Sequence, residues 1–249
     1  MIKRIKIAAA LSGLMMSQAV MAAAPETSHW SYTGDTGPAY WADIDDDFSM
    51  CGLGRNQSPV DIDGAIDAEL PPLQLDYATT GTRVFNNGHT VQVASPEGNM
   101  LTLDGDLFIL QQMHFHAPSE HTVDGRRFPL EAHLVHSDKD GNLAVVTVLF
   151  EEGEENEALR SLADSLPDTA SERADVTDTV NFTQMLPAQH DYYRLNGSLT
   201  TPPCSEGVRW VIMQSTQDIS SDQVESFSAA IGDANNRPLQ PLNARVPHK

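Results

Sequence analysis

Positive charge is scarce in this sequence, and its scarcity excludes two classes of partner. Fifteen lysine and arginine residues stand against 35 aspartate and glutamate residues, so the 249-residue chain has a formal net charge of −20 at pH 7. Beyond residue 22, Lys139 and Lys249 are the only lysines. Because such a surface repels nucleic acid and anionic lipid, we expect neither as a partner. The acidic excess is consistent with a solubilising surface, or with adaptation to saline or alkaline surroundings.

Long apolar runs are also lacking, which argues against a membrane-spanning helix. The longest apolar stretch covers residues 7–20, is interrupted by polar residues, and is shorter than the roughly 20 residues that a span requires. A basic segment precedes it, and Val20-Met21-Ala22 supplies a cleavage site of the small-x-small kind. This pattern predicts a cleaved signal peptide over residues 1–22 and an exported protein, periplasmic or fully secreted. The remaining residues 23–249 fit a single domain.

Cysteine is nearly absent, with Cys51 and Cys204 the only two. In an exported protein an isolated pair indicates one disulfide bond, because the compartment is oxidising. Two unrelated free thiols are the alternative.

The remaining pattern is dominated by short strand-like runs separated by turn signals. The best strands cover residues 90–93, 100–103, 107–116, 130–137, 143–150 and 208–213. Two helices are indicated, one after a possible Asn156 cap and one after a possible Ser221 cap, and residues 168–178 resemble a surface loop. We therefore predict one mainly β domain of the α+β kind with a few peripheral helices.

Three histidines on two of these strands suggest a metal site. Because alternate strand residues share a face, Gln112, His114 and His116 project together, as do Glu131 and His133. If the two strands are neighbours, the three imidazoles can bind Zn²⁺ and leave its fourth position open for water, as in catalytic zinc sites. Gln112 and Glu131 can hold the other ring nitrogens of His114 and His133, which zinc-binding histidines require.

The alternative is that these are ordinary core histidines with polar neighbours. His136 lies on the opposite face of its strand and His121 is expected to be structural. His89 follows the turn Asn86-Asn87-Gly88 and could lie at the mouth of a cleft.

Together, these segments resemble the α-class carbonic anhydrases, in their bacterial secreted branch. The matching stretches are Asn56 to Ile62, Asn86 to His89, Gln112 to His116, Ser119 to His121, Glu131 to His136, Gly197 to Pro203 and Asn235 to Pro238. The resemblance implies a large, mostly antiparallel twisted central sheet. It also implies reversible hydration of carbon dioxide to bicarbonate and a proton by zinc-bound hydroxide, with weak esterase activity as a possible side reaction.

The resemblance further implies a role for each matching residue. His114, His116 and His133 match the zinc ligands, and Gln112, Glu131 and the backbone of Asn235 match the groups that orient them. Thr200 and Glu120 match the pair that orients the hydroxide, and His89 matches the proton shuttle. The residues that match the apolar wall for carbon dioxide are Val135, Val145, Leu199 and Trp210. Cys51 and Cys204 match a disulfide of secreted members, and the protein is expected to be a monomer or a homodimer.

Two other functions are alternatives to this one. A different zinc hydrolase, such as a metallo-β-lactamase or an esterase, is one alternative. A metallo-β-lactamase would require a His-x-His-x-Asp-His string, which residues 113–119 lack. A non-enzymatic binding protein of the same fold would have lost one or more zinc histidines, whereas all three are present here.

Overall fold

The computed structural model describes residues 29–167 and 169–249, so the predicted signal peptide lies outside the described residues. The α-helices are α1 (Trp41–Ile44), α2 (Met50–Leu53), α3 (Glu157–Ala163) and α4 (Ser221–Ile231), with short 3-10 helices at Gly34–Thr36 and Asp46–Phe48. The first strands are β1 (Asp61–Ile62), β2 (Gln74–Tyr77), β3 (Thr80–Asn86), β4 (Val91–Ala94), β5 (Asn99–Leu103), β6 (Asp106–His116), β7 (Thr122–Val123) and β8 (Arg126–Arg127). The later strands are β9 (Leu130–Ser137), β10 (Leu143–Glu152), β11 (Arg173–Asn181), β12 (Tyr192–Ser198), β13 (Glu206–Met213) and β14 (Gln217–Ile219).

Within the described residues, eleven strands form one large sheet, whose central order is β11-β3-β4-β6-β9-β10-β13-β12. β5 joins β6, β2 joins β5, and β14 pairs with the end of β10. Neighbouring strands are antiparallel except where β10 runs parallel to β13 and β14. The predicted mainly β fold, with a large twisted and mostly antiparallel sheet and few helices, is confirmed.

Each face of this sheet carries its own apolar cluster, because side chains alternate along every strand. On β9, Leu130, Ala132 and Leu134 belong to the larger cluster, which also includes Phe115 and Phe227. Glu131 and His133 project from the opposite face. There a smaller cluster contains Val60, Ile62, Phe128, Val145, Leu149, Leu195, Val208, Trp210 and Ile212. We call the side with the smaller cluster the site face, because it carries the three predicted metal-binding histidines.

Both predicted helices are present, with adjusted boundaries. The Asn156 side chain caps α3 by accepting hydrogen bonds from the backbone nitrogens of Ala158 and Leu159, as predicted. The cap of α4 is Ser220 rather than Ser221, because Ser220 and Gln223 form a reciprocal capping box.

The loop predicted at residues 168–178 is wrong over its second half, because β11 begins at Arg173 and pairs antiparallel with β3. β11 lies at one end of the central strand order, and its pairing with β3 shifts register between Asp175 and Val180. Its mostly polar sequence therefore reflects an exposed edge strand, which apolar periodicity does not detect.

Cys51 and Cys204 form a disulfide bond, as predicted. Cys51 lies in α2 and Cys204 follows Thr200 by four residues, so the bond ties the segment that carries Thr200 to the N-terminal part of the fold. Among the described helices, none has the length and apolar character needed to cross a membrane.

Candidate metal centre

The pairing of β6 with β9 brings the three histidines together. His114 lies directly opposite His133, and His116 lies opposite Glu131. The ring centroids of His114 are 5.1 Å from those of both His116 and His133, and the latter two are 4.7 Å apart. One nitrogen of each ring lies within 4.8 Å of the others, a spacing that a single metal ion could bridge. The predicted convergence of these side chains is therefore present.

A different group holds the second nitrogen of each ring. Nδ1 of His114 lies 2.9 Å from Oε1 of Gln112, and Nδ1 of His116 lies 2.7 Å from the carbonyl oxygen of Asn235. In His133 the roles of the ring nitrogens are reversed, since Nε2 lies 2.5 Å from Oε1 of Glu131. An oxygen acceptor at one nitrogen fixes the proton there and leaves the lone pair of the other nitrogen free for a metal.

The donor set fits a zinc ion by its chemistry as well as its spacing. Nε2 of His116 is buried and has no hydrogen-bond partner among residues 29–167 and 169–249. Burial lowers the pKa of His116 to about 4, although its hydrogen bond to Asn235 opposes the change. Burial also lowers the pKa of His114 and His133. All three imidazoles are therefore neutral near pH 7, the form that binds metal.

Glu131 connects this centre to the loop before β7. Its Oε1 lies 2.8 Å from Nδ1 of His121, and its Oε2 accepts hydrogen bonds from the backbone nitrogens of Glu120 at 2.7 Å and His121 at 2.8 Å. Burial alone would raise the pKa of Glu131, but the neighbouring His121 and His133 hold it well below its usual range. Glu131 is therefore a buried carboxylate stabilised by four donors.

His121, expected from the sequence to be structural, makes a contact in this network that the sequence did not reveal. Its ring is fully buried, and together with Glu131 and His133 it forms a second group of close nitrogen and oxygen atoms. Oε1 of Glu131 is hydrogen-bonded to both rings, which accounts for the short distances among the three side chains. We therefore interpret His121 as a support for Glu131 and His133 rather than as a ligand of a second metal. Ten residues separate His121 from Glu131, and no strand periodicity links them.

Glu120 and Thr200 lie beside the histidines. Oε1 of Glu120 accepts a hydrogen bond of 3.0 Å from the backbone nitrogen of Arg237, and its Oε2 lies 3.4 Å from Nε2 of His116. Burial raises the pKa of Glu120 to about 7, and the Thr200 hydroxyl is among the groups that oppose this rise. Both side chains are buried, so the pair is enclosed within the protein.

The residues predicted as an apolar wall adjoin the histidines. Val145 and Trp210 are buried members of the smaller apolar cluster, and Val135 and Leu199 pack against it. The ring of Trp210 lies 4.9 Å from that of His133, and its Nε1 donates to the carbonyl oxygen of Ser198 at 3.1 Å. The site face therefore combines a polar centre with an apolar border.

His89 lies apart from the three histidines but is connected to them. The Asn235 side chain donates a 3.0 Å hydrogen bond to the carbonyl oxygen of His89, while the Asn235 backbone carbonyl holds His116. The His89 ring stacks on Trp30 with centroids 3.8 Å apart and an interplanar angle of 8°. Its pKa is lowered by partial burial and by nearby His29, with which it lines a cavity of about 160 Å³.

Comparisons with known proteins agree over nearly the whole described chain. A family model described as eukaryotic-type carbonic anhydrase matches residues 36–247. The chain is 45% identical over 233 residues to a carbonic anhydrase of Pectobacterium atrosepticum, covering 94% of this chain and 96% of that relative. The α-carbonic anhydrase of Thermovibrio ammonificans, solved with the inhibitor sulfanilamide, gives a TM-score of 0.88 at 44% identity and covers 90% of this chain and 100% of its own. The Photobacterium profundum α-carbonic anhydrase gives a TM-score of 0.84 at 47% identity, with coverage of 89% and 100%.

Proposed function

Because the chain belongs to the eukaryotic-type, or α-class, carbonic anhydrase family and is an enzyme of that family, we propose that His114, His116 and His133 hold its catalytic Zn²⁺. The reaction is the reversible hydration of carbon dioxide to bicarbonate and a proton. The observation that carries this proposal is the convergence of three neutral imidazoles, each with its other nitrogen already occupied. A zinc ion bound there supplies positive charge that makes water acidic enough to act as a nucleophile near neutral pH.

The groups behind the ligands position them. Gln112, Glu131 and the Asn235 carbonyl each accept a hydrogen bond from the N–H of one ring, so each imidazole keeps a single tautomer and orientation. Because the three ligands carry no charge, the full charge of the metal is available to polarise water.

Thr200 and Glu120 orient the attacking oxygen. In our proposal the Thr200 hydroxyl donates a hydrogen bond to the Glu120 carboxylate, consistent with its effect on the pKa of that group. The Thr200 oxygen is then left as an acceptor only, so a hydrogen on the nucleophile must point toward it. This arrangement directs a lone pair of the nucleophile toward the substrate.

The apolar border holds the substrate. Carbon dioxide has no net dipole, so it needs no hydrogen-bonding partner and can bind against an apolar surface. The residues that offer this surface are Val135, Val145, Leu199 and Trp210. The polar product is less well suited to that surface, and its departure is thereby favoured.

His89 is proposed to carry the product proton to solvent. Its ring is half-buried beside a cavity, and burial and His29 lower its pKa below the 6.5 usual for an imidazole, so the ring is neutral near pH 7 and able to accept a proton. Weak hydrolysis of esters at the same centre is a proposed side reaction, since an activated water is not specific for carbon dioxide.

Location and assembly are separate proposals. The disulfide suggests an oxidising compartment, and with the expected signal peptide it supports export to the periplasm, or full secretion, of a domain formed by residues 23–249. We propose a monomer or homodimer. N-terminal sequencing of the exported protein should begin after Ala22, and a start at Met1 would contradict the proposed cleavage.

The central experiment is stopped-flow carbon dioxide hydration by the purified mature protein, with zinc content measured in parallel. We expect one zinc per chain, loss of activity on chelation, and recovery when zinc is restored. His116→Ala should abolish both zinc binding and activity, whereas His190→Ala, which alters an exposed histidine, should change neither. A folded wild-type protein that neither binds zinc nor hydrates carbon dioxide would refute the proposal.

A further inference from the structure

Two fully buried polar atoms behind the metal centre have no hydrogen-bond partner within the part of the chain that the structure describes. They are Nε2 of His121 and Oγ1 of Thr147. Leaving a buried donor or acceptor unsatisfied is unfavourable, so native proteins rarely retain one without a bound water or another partner. Neither atom has a role in the function proposed above.

Strand pairing places Thr147 on the site face. On β10 it lies directly opposite His133 of β9, and on its other side it is paired with Ile212 of β13. Directly opposite residues of an antiparallel pair project from the same face. The Thr147 side chain therefore projects next to His133, between Val145 and Leu149 of the smaller apolar cluster.

The His121 ring also packs on the site face, close to β9 and β13 on either side of β10. Its Nδ1 is 2.8 Å from Glu131, and its ring centroid is 4.7 Å from that of Trp210 and 6.1 Å from that of His133. On β10, Leu149 is paired with Glu131 and Thr147 with His133. Trp210 of β13 is paired with Val145, the site-face residue of β10 next to Thr147. A ring between Glu131 and Trp210 therefore crosses β10 diagonally, and Thr147 is the site-face residue of β10 midway between those two levels. Because Nδ1 is turned to Glu131, Nε2 points away from that carboxylate. Thr147 is the residue of this part of the sheet whose hydroxyl has no partner among the described residues.

We propose that His121 and Thr147 share one buried water molecule, and that Thr147 is thereby a positioning residue for His133. Because Nδ1 of His121 keeps its hydrogen and donates it in a hydrogen bond to the Glu131 carboxylate, Nε2 carries a lone pair and accepts a hydrogen bond from the water. The second hydrogen of the water is donated to Oγ1 of Thr147. A water with such partners is a permanent part of a fold. The hydrogen-bonded chain from His133 through Glu131 then ends on β10.

The consequence for zinc rests on the proposed function. Removing a group that directly orients a ligand typically weakens metal binding by 10–100-fold. Thr147 acts through the water, His121 and Glu131, so we expect a smaller effect, roughly a 3–10-fold faster release of zinc when its hydroxyl is removed.

Two variants of Thr147 separate the hydroxyl from packing. Thr147→Val keeps the shape of the side chain and removes the hydroxyl, whereas Thr147→Ser keeps the hydroxyl and removes a methyl group. Zinc release from the loaded mature protein to a chelator should be 3–10-fold faster in Thr147→Val and unchanged in Thr147→Ser. Unchanged release in Thr147→Val, or equally fast release in both variants, would contradict the positioning role.

Two measurements on the wild-type protein test the water itself, even if Thr147→Val does not fold. A high-resolution crystal structure should show a water within hydrogen-bond distance of both atoms, and its absence there would overturn the proposal. In the metal-free protein, the ¹⁵N chemical shift of His121 Nε2 should be that of a hydrogen-bonded acceptor, and a shift typical of an unbonded nitrogen would contradict it. A wild-type protein without zinc affinity would refute the proposed function and leave these two tests of the water intact.

Discussion

His133 and His136 are buried histidines on the same strand, yet they face opposite sides of the sheet and have different surroundings. His133 adjoins two other imidazoles and the Glu131 carboxylate. His136 shares a hydrogen bond of 2.8 Å with the Tyr77 hydroxyl and stacks on that ring, with centroids 5.9 Å apart. Residue type and burial therefore do not distinguish a site histidine from a structural one. The groups on the same face of the sheet do.

The neutral form of the ring has a different consequence at each of the two histidines. Burial lowers the pKa of both, and Glu131 partly opposes this at His133, whereas burial brings His136 to about 4. At His133 the neutral ring is free to bind metal. At His136 the neutral ring packs in the core and shares a hydrogen bond with Tyr77. Its protonation should therefore lower the stability of the fold without changing zinc binding.

The largest expected effect comes from replacing each of the two histidines in turn and comparing the variants. His133→Ala removes a metal ligand and with it several kcal/mol of charge stabilisation, so kcat/KM for carbon dioxide should fall by roughly a thousandfold or more. His136→Gln, which replaces an equally buried ring on the other face, should keep stoichiometric zinc and at least half of the activity. The assay is stopped-flow hydration with zinc analysis, on variants shown to be folded. Equal losses in both variants would show that the two faces are not functionally distinct.

The second prediction concerns acid stability. His136 has a folded pKa of about 4 against about 6.5 when unfolded, so the unfolded chain binds its proton first as the pH falls. The stabilising contribution of neutral His136 is complete above pH 6.5 and is lost between pH 6.5 and 4, by about 3 kcal/mol. Between pH 7 and pH 4, metal-free His136→Gln should therefore lose about 3 kcal/mol less unfolding free energy than metal-free wild type in urea titrations. Parallel curves for the two proteins would contradict the assignment.

The central strands of the sheet could be predicted because apolar and polar residues alternate regularly along them. β9 was predicted with its observed limits, and β6 and β10 within two residues. β3, β11 and β12 were not predicted, since their exposed or mixed sequences lack a clear period of two and long-range pairing decides their structure. Resemblance to a known family supplied the large sheet, which local patterns do not specify.

The site was predictable to the extent that it lies on single strands. Gln112 and Glu131 were assigned to His114 and His133 because each pair is two residues apart, and both contacts are present. His121 was expected to be structural, but its contact with Glu131 was missed because that contact depends on a loop folding back onto the sheet. Contacts made by loops depend on tertiary structure and leave no periodic signal in the sequence.

Glycines on the two faces offer a third, smaller test. A Cβ at Gly81 would collide with Val93 and approach Phe182 in the larger cluster, and a Cβ at Gly197 would collide with Ser58 and approach Trp210 on the site face. Either glycine-to-alanine change should lower the unfolding free energy by about 1–3 kcal/mol, since well-packed cores resist added atoms. Gly197→Ala alone should also lower kcat/KM, by about tenfold, because displacing Trp210 alters the apolar border. A similar loss of kcat/KM in Gly81→Ala would mean that the two faces are coupled.

His89 is linked to the metal centre through Asn235 and should affect turnover without affecting zinc content. Its replacement removes the proposed proton acceptor, so His89→Ala should lower kcat roughly tenfold in dilute buffer while leaving kcat/KM and zinc content unchanged. Added imidazole should restore part of the lost rate, because a free acceptor can replace the missing ring. His248→Ala, which removes another exposed histidine, provides the control. If His89→Ala turns over at the wild-type rate in dilute buffer, proton transfer does not pass through His89, and the function of the site face is confined to the residues around the three histidines.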